Sequence, residues 1–213
     1  MSKGRSIKKR GQRHKNKSGS AGSSKKGIKG NDRLFIGYLK AITKAAKVYR
    51  DNYCNKDIKY TYINKSGKHD SLTITFMQQN FMHMCGILAY EGFHSGDFYE
   101  HALKGRLKKD RFRIANVQHF VSKMKAIKNL KELMEQKDIG VVDNNVVYKR
   151  YDFGQMIRTK EDLISIGTVE DSKTRKKVPL TLINIPLATD TLKAAMSCFC
   201  PVVDITITPI HTN

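Results

Sequence analysis

The chain has 213 residues and carries 40 Lys+Arg against 19 Asp+Glu, a formal net charge of +21 with a pI near 9.9. No apolar run approaches the ~18 residues of a membrane span, and four cysteines in this length make no disulfide scaffold, so a transmembrane protein and a small disulfide-stapled one are both excluded. The basic N-terminus lacks the apolar stretch of a secretory signal, which predicts a cytoplasmic protein. The charge implies a polyanionic partner, nucleic acid first and an anionic membrane surface second; basic runs without interleaved apolar residues favour the former, so no membrane partner is expected.

Residues 1–30 hold eleven of the basic residues and no acid, among them Lys8, Lys9, Arg10, Arg13, Lys15 and Lys17. With a Ser/Gly run at 18–24, this stretch has too little apolar surface to offset its ordering entropy, so a disordered basic tail is expected. Its lysines and arginines are candidate phosphate contacts, salt-sensitive and blind to base sequence; a solubilising tail is the plainer alternative. The remaining +10 belongs to residues 31–213, expected to form a single domain.

Asp32 as N-cap and an apolar stripe of Phe35, Tyr38, Leu39, Ile42, Ala46, Tyr49 and Tyr53 predict a long amphipathic helix. Ile58, Tyr60 and Tyr62 alternate, as do Leu72, Ile74 and Phe76, and the polar loop 64–68 between them predicts an antiparallel hairpin. Residues 80–89 are compact and helical or turn-like, 92–96 form a break, and Ser95 can cap a short helix bearing Phe98, Tyr99, Ala102 and Leu103. A helix is predicted over 114–136 from Val117, Phe120, Val121, Met124, Ile127, Leu130 and Met134. Beyond it the period drops to two, with short strands at 141–142, 146–148, 163–166, 180–185 and 202–208. Helices first and strands later predict an α+β fold, amphipathic helices packed on an antiparallel sheet.

Several chemistries lack their motifs. Cys198-Phe199-Cys200 is a C-x-C rather than a C-x-x-C, no histidine sits at a paired spacing nearby, and neither half of the zinc deaminase signature occurs; no metal and no other cofactor is expected. There is no Walker A sequence, no dinucleotide glycine motif and no nucleophile elbow. Acids form no two-metal nuclease cluster. If the protein cleaves a phosphodiester, metal-free RNA chemistry fits better: a base for the 2′-hydroxyl, an acid for the leaving oxygen and cations for the phosphorane. His83, among Phe81, Met82, Met84 and Cys85, is either a hydrogen-bonded core histidine or one facing a pocket. Lys123 interrupts the apolar stripe of its helix and either snorkels or points into a phosphate-binding cleft. Asn116 shares its face, and Lys131 lies near the helix end.

The segment Asn80-Phe81-Met82-His83-Met84-Cys85-Gly86 resembles the N-F-x-H-L-x-G segment of phage-type nuclease domains of the barnase–EndoU–colicin–RelE-like group, with Met84 in place of Leu. Phe98-Tyr99 resembles the Phe-Tyr pair of their next short helix, residues 116–136 their lysine-bearing helix, and Val178-Pro179-Leu180-Thr181-Leu182 their late Pro-Ser/Thr strand. The resemblance spans about 34–186; the tail and 188–213 have no counterpart in it. It implies a metal-independent ribonuclease, toxin-like and phage- or mobile-element-borne, in which His83 is base or acid, Lys123 binds or neutralises the scissile phosphate, and Thr181 donates to a phosphate oxygen. Arg158 is a further electrostatic candidate. RNA would be the substrate, and a neutralising antitoxin or a target protein complex the protein partner. Two other readings fit the charge: a non-catalytic nucleic-acid-binding inhibitor of a host defence complex such as CRISPR-Cas, and a ribosome-associated structural protein.

Overall fold

The computed structural model describes residues 28–142, 146–148, 151–161, 164–190, 194 and 198–210. The six basic candidates between Lys8 and Lys17 lie outside them. The first element, α1 (Ile28–Asn52), buries one stripe: Phe35, Ile42, Ala45, Ala46 and Tyr49, with Tyr53 just past its end. Asp32 is not its N-cap, because the helix begins four residues earlier.

The expected antiparallel hairpin follows as β1 (Lys56–Ile63) and β2 (His69–Phe76), with Tyr60 opposite Leu72. Alternation points Ile58, Tyr60, Tyr62, Leu72, Ile74 and Phe76 inward. Then come α2 (Gln78–Met84), β3 (Ile87–Ala89), α3 (Ser95–Leu103), with His94 rather than Ser95 at its N-cap, and β4 (Phe112–Ile114), which pairs with β3.

The helix expected over 114–136 divides into three pieces. Residues 112–114 are β4, α4 runs Val117–Ala126, and Ile127–Met134 is 3-10 helix. The side chains explain the last change: Ile127, Leu130 and Leu133 are the buried ones, three residues apart, matching a helix of three residues per turn.

Strands complete the chain: β5 (Ile139–Val142), β6 (Val146–Tyr148), β7 (Tyr151–Phe153), β8 (Met156–Thr159), β9 (Ile164–Glu170), β10 (Lys177–Asn184) and β11 (Cys200–Pro209). The fold is α+β as expected, but the sheet is closed. Seven strands run β1-β11-β5-β8-β9-β10-β2 and return to β1. The pairings are antiparallel except β10 with β2, which meet in parallel at Lys177 and Ile74. β6 and β7 form a separate ribbon.

Helices pack over this barrel through an aromatic cluster. Tyr49 stacks on Tyr53 at 5.8 Å and meets Phe76, Phe81 and Tyr99, while Phe98 meets Phe81 and Phe112. The hydroxyls find backbone acceptors: Tyr49 Oη donates to Met77 O (2.9 Å) and Tyr53 Oη to Leu130 O (2.5 Å). Those two bonds tie α1 to the entrance of α2 and to the 3-10 segment. Gly140 on β5 has no side chain because the Phe199 ring occupies that space; a Cβ there would lie 2.5 Å from it.

Candidate active site

α2 is only seven residues long, so its position depends on its ends and on one anchor. Asn80 Oδ1 accepts the Met77 N–H at 2.7 Å, closing the first turn. Phe81, fully buried, is the anchor, 5.2 Å from Tyr49 and 5.7 Å from Tyr99 between ring centres. At the other end Cys85 N–H bonds Phe81 O (3.1 Å) and Gly86 N–H bonds His83 O (3.0 Å), with Gly86 at φ +71°. Asn80, Phe81 and Gly86 therefore build and hold the turn of helix that carries His83. The pair Phe98-Tyr99 is also packing, buried beside Phe81.

His83 is the one residue of 80–85 exposed to solvent, so it is not a core histidine. Its surroundings still lower its pKa from 6.5, first by partial desolvation and then by the charge of Lys123. The imidazole is neutral at pH 7, the form a general base needs.

Lys123 comes from α4, which buries Phe120 and Met124 and is held to α1 by an edge contact between Phe120 and Tyr38 at 5.4 Å. The lysine stem crosses Gly86, where a Cβ would sit 3.1 Å from Lys123 Cδ and 3.5 Å from Phe120 Cα. Its Nζ donates to the His83 backbone oxygen at 2.7 Å. One of three ammonium donors is thus engaged, and the other two have no partner among the described residues. Burial lowers the Lys123 pKa to about 8. Cys85 lies close by, but burial pushes its thiol far up, which keeps it neutral.

Thr181 lies half-buried on β10, the strand that packs against both α2 and α4. Pro179 cannot donate to the ladder, and the register with β9 shifts there: Pro179 faces Thr168, whereas Thr181 faces Gly167. The irregularity re-aims the strand at Thr181. His83, Lys123 and Thr181 accordingly sit on three elements in mutual contact.

Arg158 is elsewhere. It is 7% exposed on β8, its Nε donates to Thr159 O at 3.2 Å, and its guanidinium lies 5.5 Å from the Phe199 ring centre. Because Arg158 faces Gly140 across the ladder, the three residues form one stack, and burial lowers the guanidinium pKa. Asn116 caps α4, its Oδ1 accepting from His119 N (3.0 Å), and Lys131 is exposed. The four cysteines are free, and among the described residues no three His, Cys, Asp or Glu side chains form a metal-binding group. No helix among them is long and apolar enough to cross a membrane.

A solvent-facing histidine on a short helix is thus tied, through its backbone oxygen, to a half-buried lysine of α4. A family model places it: the chain belongs to the phage-Barnase-EndoU-ColicinE5/D-RelE like nuclease4 family, PBECR4, whose match covers residues 41–192. That membership supports a nuclease of the barnase–EndoU–colicin–RelE group. No curated protein and no solved structure matches the chain.

Proposed function

We propose that this protein is a metal-independent RNA endonuclease, toxin-like and acting in the cytoplasm, that cleaves by transesterification through the 2′-hydroxyl. The observation that carries the reading is the junction of His83 with Lys123: a solvent-facing imidazole held neutral, beside an ammonium with two donors to spare. Neutral His83 takes the 2′-hydroxyl proton as the 2′-oxygen attacks phosphorus. Lys123, mostly protonated below about pH 8, neutralises the charge that develops on the phosphoryl oxygens, and Thr181 donates a further hydrogen bond. The P–O5′ bond breaks, the 5′-oxygen takes a proton from solvent water, His83 returns its proton to solvent, and the products are a 2′,3′-cyclic phosphate and a 5′-hydroxyl. The basic tail adds affinity through phosphate contacts without choosing a sequence.

RNA cleavage in EDTA by the wild-type protein and by His83→Ala tests this. Wild-type cleavage should fall about 10²–10⁴-fold in the variant, the usual contribution of a positioned general base. Equal rates in the two proteins, or no cleavage by either, would overturn the assignment. Tight RNA binding without cleavage would leave the fold in a purely binding role.

A further inference from the structure

A cavity of about 260 Å³ lies between the start of α1 and the β3–β4 ribbon, separate from His83 and Lys123. Its apolar base is Phe35, Phe112 and Ile114, all buried. Tyr90 and Arg113 form one side, with the guanidinium 5.9 Å from the tyrosine ring centre, and Asn31 and Asp32 form the polar rim. Such a volume falls below the ~300–1,000 Å³ of drug-sized pockets and suits one planar ring system. Arginine planes and aromatic faces are the surfaces on which proteins stack unpaired bases, and a carboxylate reads amino donors on a base edge.

The carboxylate of Asp32 is well placed for that task. Oδ2 accepts from Lys109 Nζ at 3.2 Å, which offsets its charge against an incoming polyanion, and Oδ1 has no partner among the described residues. The cavity also lies along the chain from the candidate active site. Tyr90 stands four residues past Gly86 on extended backbone, about 13 Å at ~3.3 Å per residue. On the neighbouring strand Ala115 N–H bonds Gly86 O (3.2 Å), next to Ile114 at the cavity base.

Resting on the RNA-cleavage reading above, we propose that this cavity is a nucleobase subsite: one unpaired base of the RNA stacks against Arg113 and Tyr90 and presents an amino group to Asp32. It favours adenine, cytosine or guanine over uracil, which has no exocyclic amine.

The test uses the full chain and four 2′-O-methyl octanucleotides that differ at one central base, so that 2′-hydroxyl chemistry cannot consume the probe. Wild type should bind the uracil probe at least about fivefold more weakly than the best of the other three, the lower end of one good base-edge contact. Asp32→Asn should change the order of preference, Arg113→Ala should weaken all four probes by about fivefold or more, and His83→Ala should leave the preference intact. Tight binding that is equal for all four probes, or a preference unmoved by Asp32→Asn, overturns the subsite and leaves the nuclease reading standing. Absence of binding to every probe overturns both.

Discussion

Lys123 Nζ and the backbone oxygen of His83 are 2.7 Å apart, and the same oxygen accepts the Gly86 N–H at 3.0 Å. The lysine therefore reaches the end of α2 and not the imidazole. Its charge is brought beside His83 without consuming either ring nitrogen, and the glycine between them leaves room for the stem. A cation at a helix C-terminus is itself favourable, so the pair is both a structural tie and a charge placed where the proposed reaction needs one.

The two lowered pKa values predict a bell-shaped pH dependence of kcat/KM for RNA. The acid limb should lie below 6.5, where His83 protonates, and the alkaline limb near 8, where Lys123 loses its proton. Lys123→Arg should retain cleavage at reduced rate and lose the alkaline limb, because a guanidinium stays charged throughout. An alkaline limb unchanged in that variant would assign it to another group.

Stability should respond with a defined sign. Folded Lys123 titrates at about 8 and unfolded lysine near 10.5, so between those values the unfolded chain binds more protons and the Lys123 contribution to stability rises with pH. The melting difference between wild type and Lys123→Met should move in favour of wild type as pH rises from 7 toward 10, because only the wild-type amine gains stability over that range. His83 works in the same direction at lower pH: its contribution is present above 6.5 and lost as pH falls through the lowered folded value. Melting curves of wild type and Lys123→Met at pH 7, 8.5 and 10 measure the first effect.

Two glycines with similar backbone separate strain from function. A Cβ added at Gly67 (φ +75°) would have nothing within 4 Å, whereas at Gly86 (φ +71°) the same atom meets Lys123 Cδ. Gly67→Ala should cost the left-handed backbone alone, about 1–2 kcal/mol, and leave cleavage intact. Gly86→Ala should cost more and also lower kcat, because the lysine must move. Equal activity losses in the two variants would contradict this.

Salt titrations of RNA binding should divide the cations. Deleting residues 1–27, upstream of α1, should make the log–log slope shallower by about 0.7 for each single-strand phosphate that the tail neutralises. Arg158→Met should leave that slope unchanged, because its guanidinium is buried under Phe199. It should instead lower the melting temperature.

Much of the architecture was legible where apolar residues recur at one period along an element. The α1 stripe and the alternation of β1 and β2 are of that kind. β3 and β4 have three residues each, too few to show a period, and β8 is buried throughout yet reads Met-Ile-Arg-Thr. Closure of the barrel left no local mark either, since β1 meets β11 from the other end of the chain. At the site, Lys123 stood out as a charge inside an apolar stripe, and His83 as an imidazole inside an apolar segment. Arg158 is the weaker candidate in the sequence, and nothing nearby in sequence announces the Phe199 ring that covers it. The functions of Asn80 and Gly86 were legible only as parts of a family motif; their reasons, a closed first turn and clearance for a lysine stem, are three-dimensional.

The last strand has a consequence for how the protein comes to exist. Residues 200–209 lie beyond the family match at 41–192, yet they pair with β1 along seven residue positions and with β5 at two. β1 must therefore wait for some 140 residues of chain before its second neighbour arrives. Until then it presents a row of unpaired amides and carbonyls, an open edge on which another chain can add. Folding should be slow for the size, governed by this long-range closure. A version trimmed to the family boundaries would keep His83, Lys123 and Thr181 and still tend to self-associate through β1.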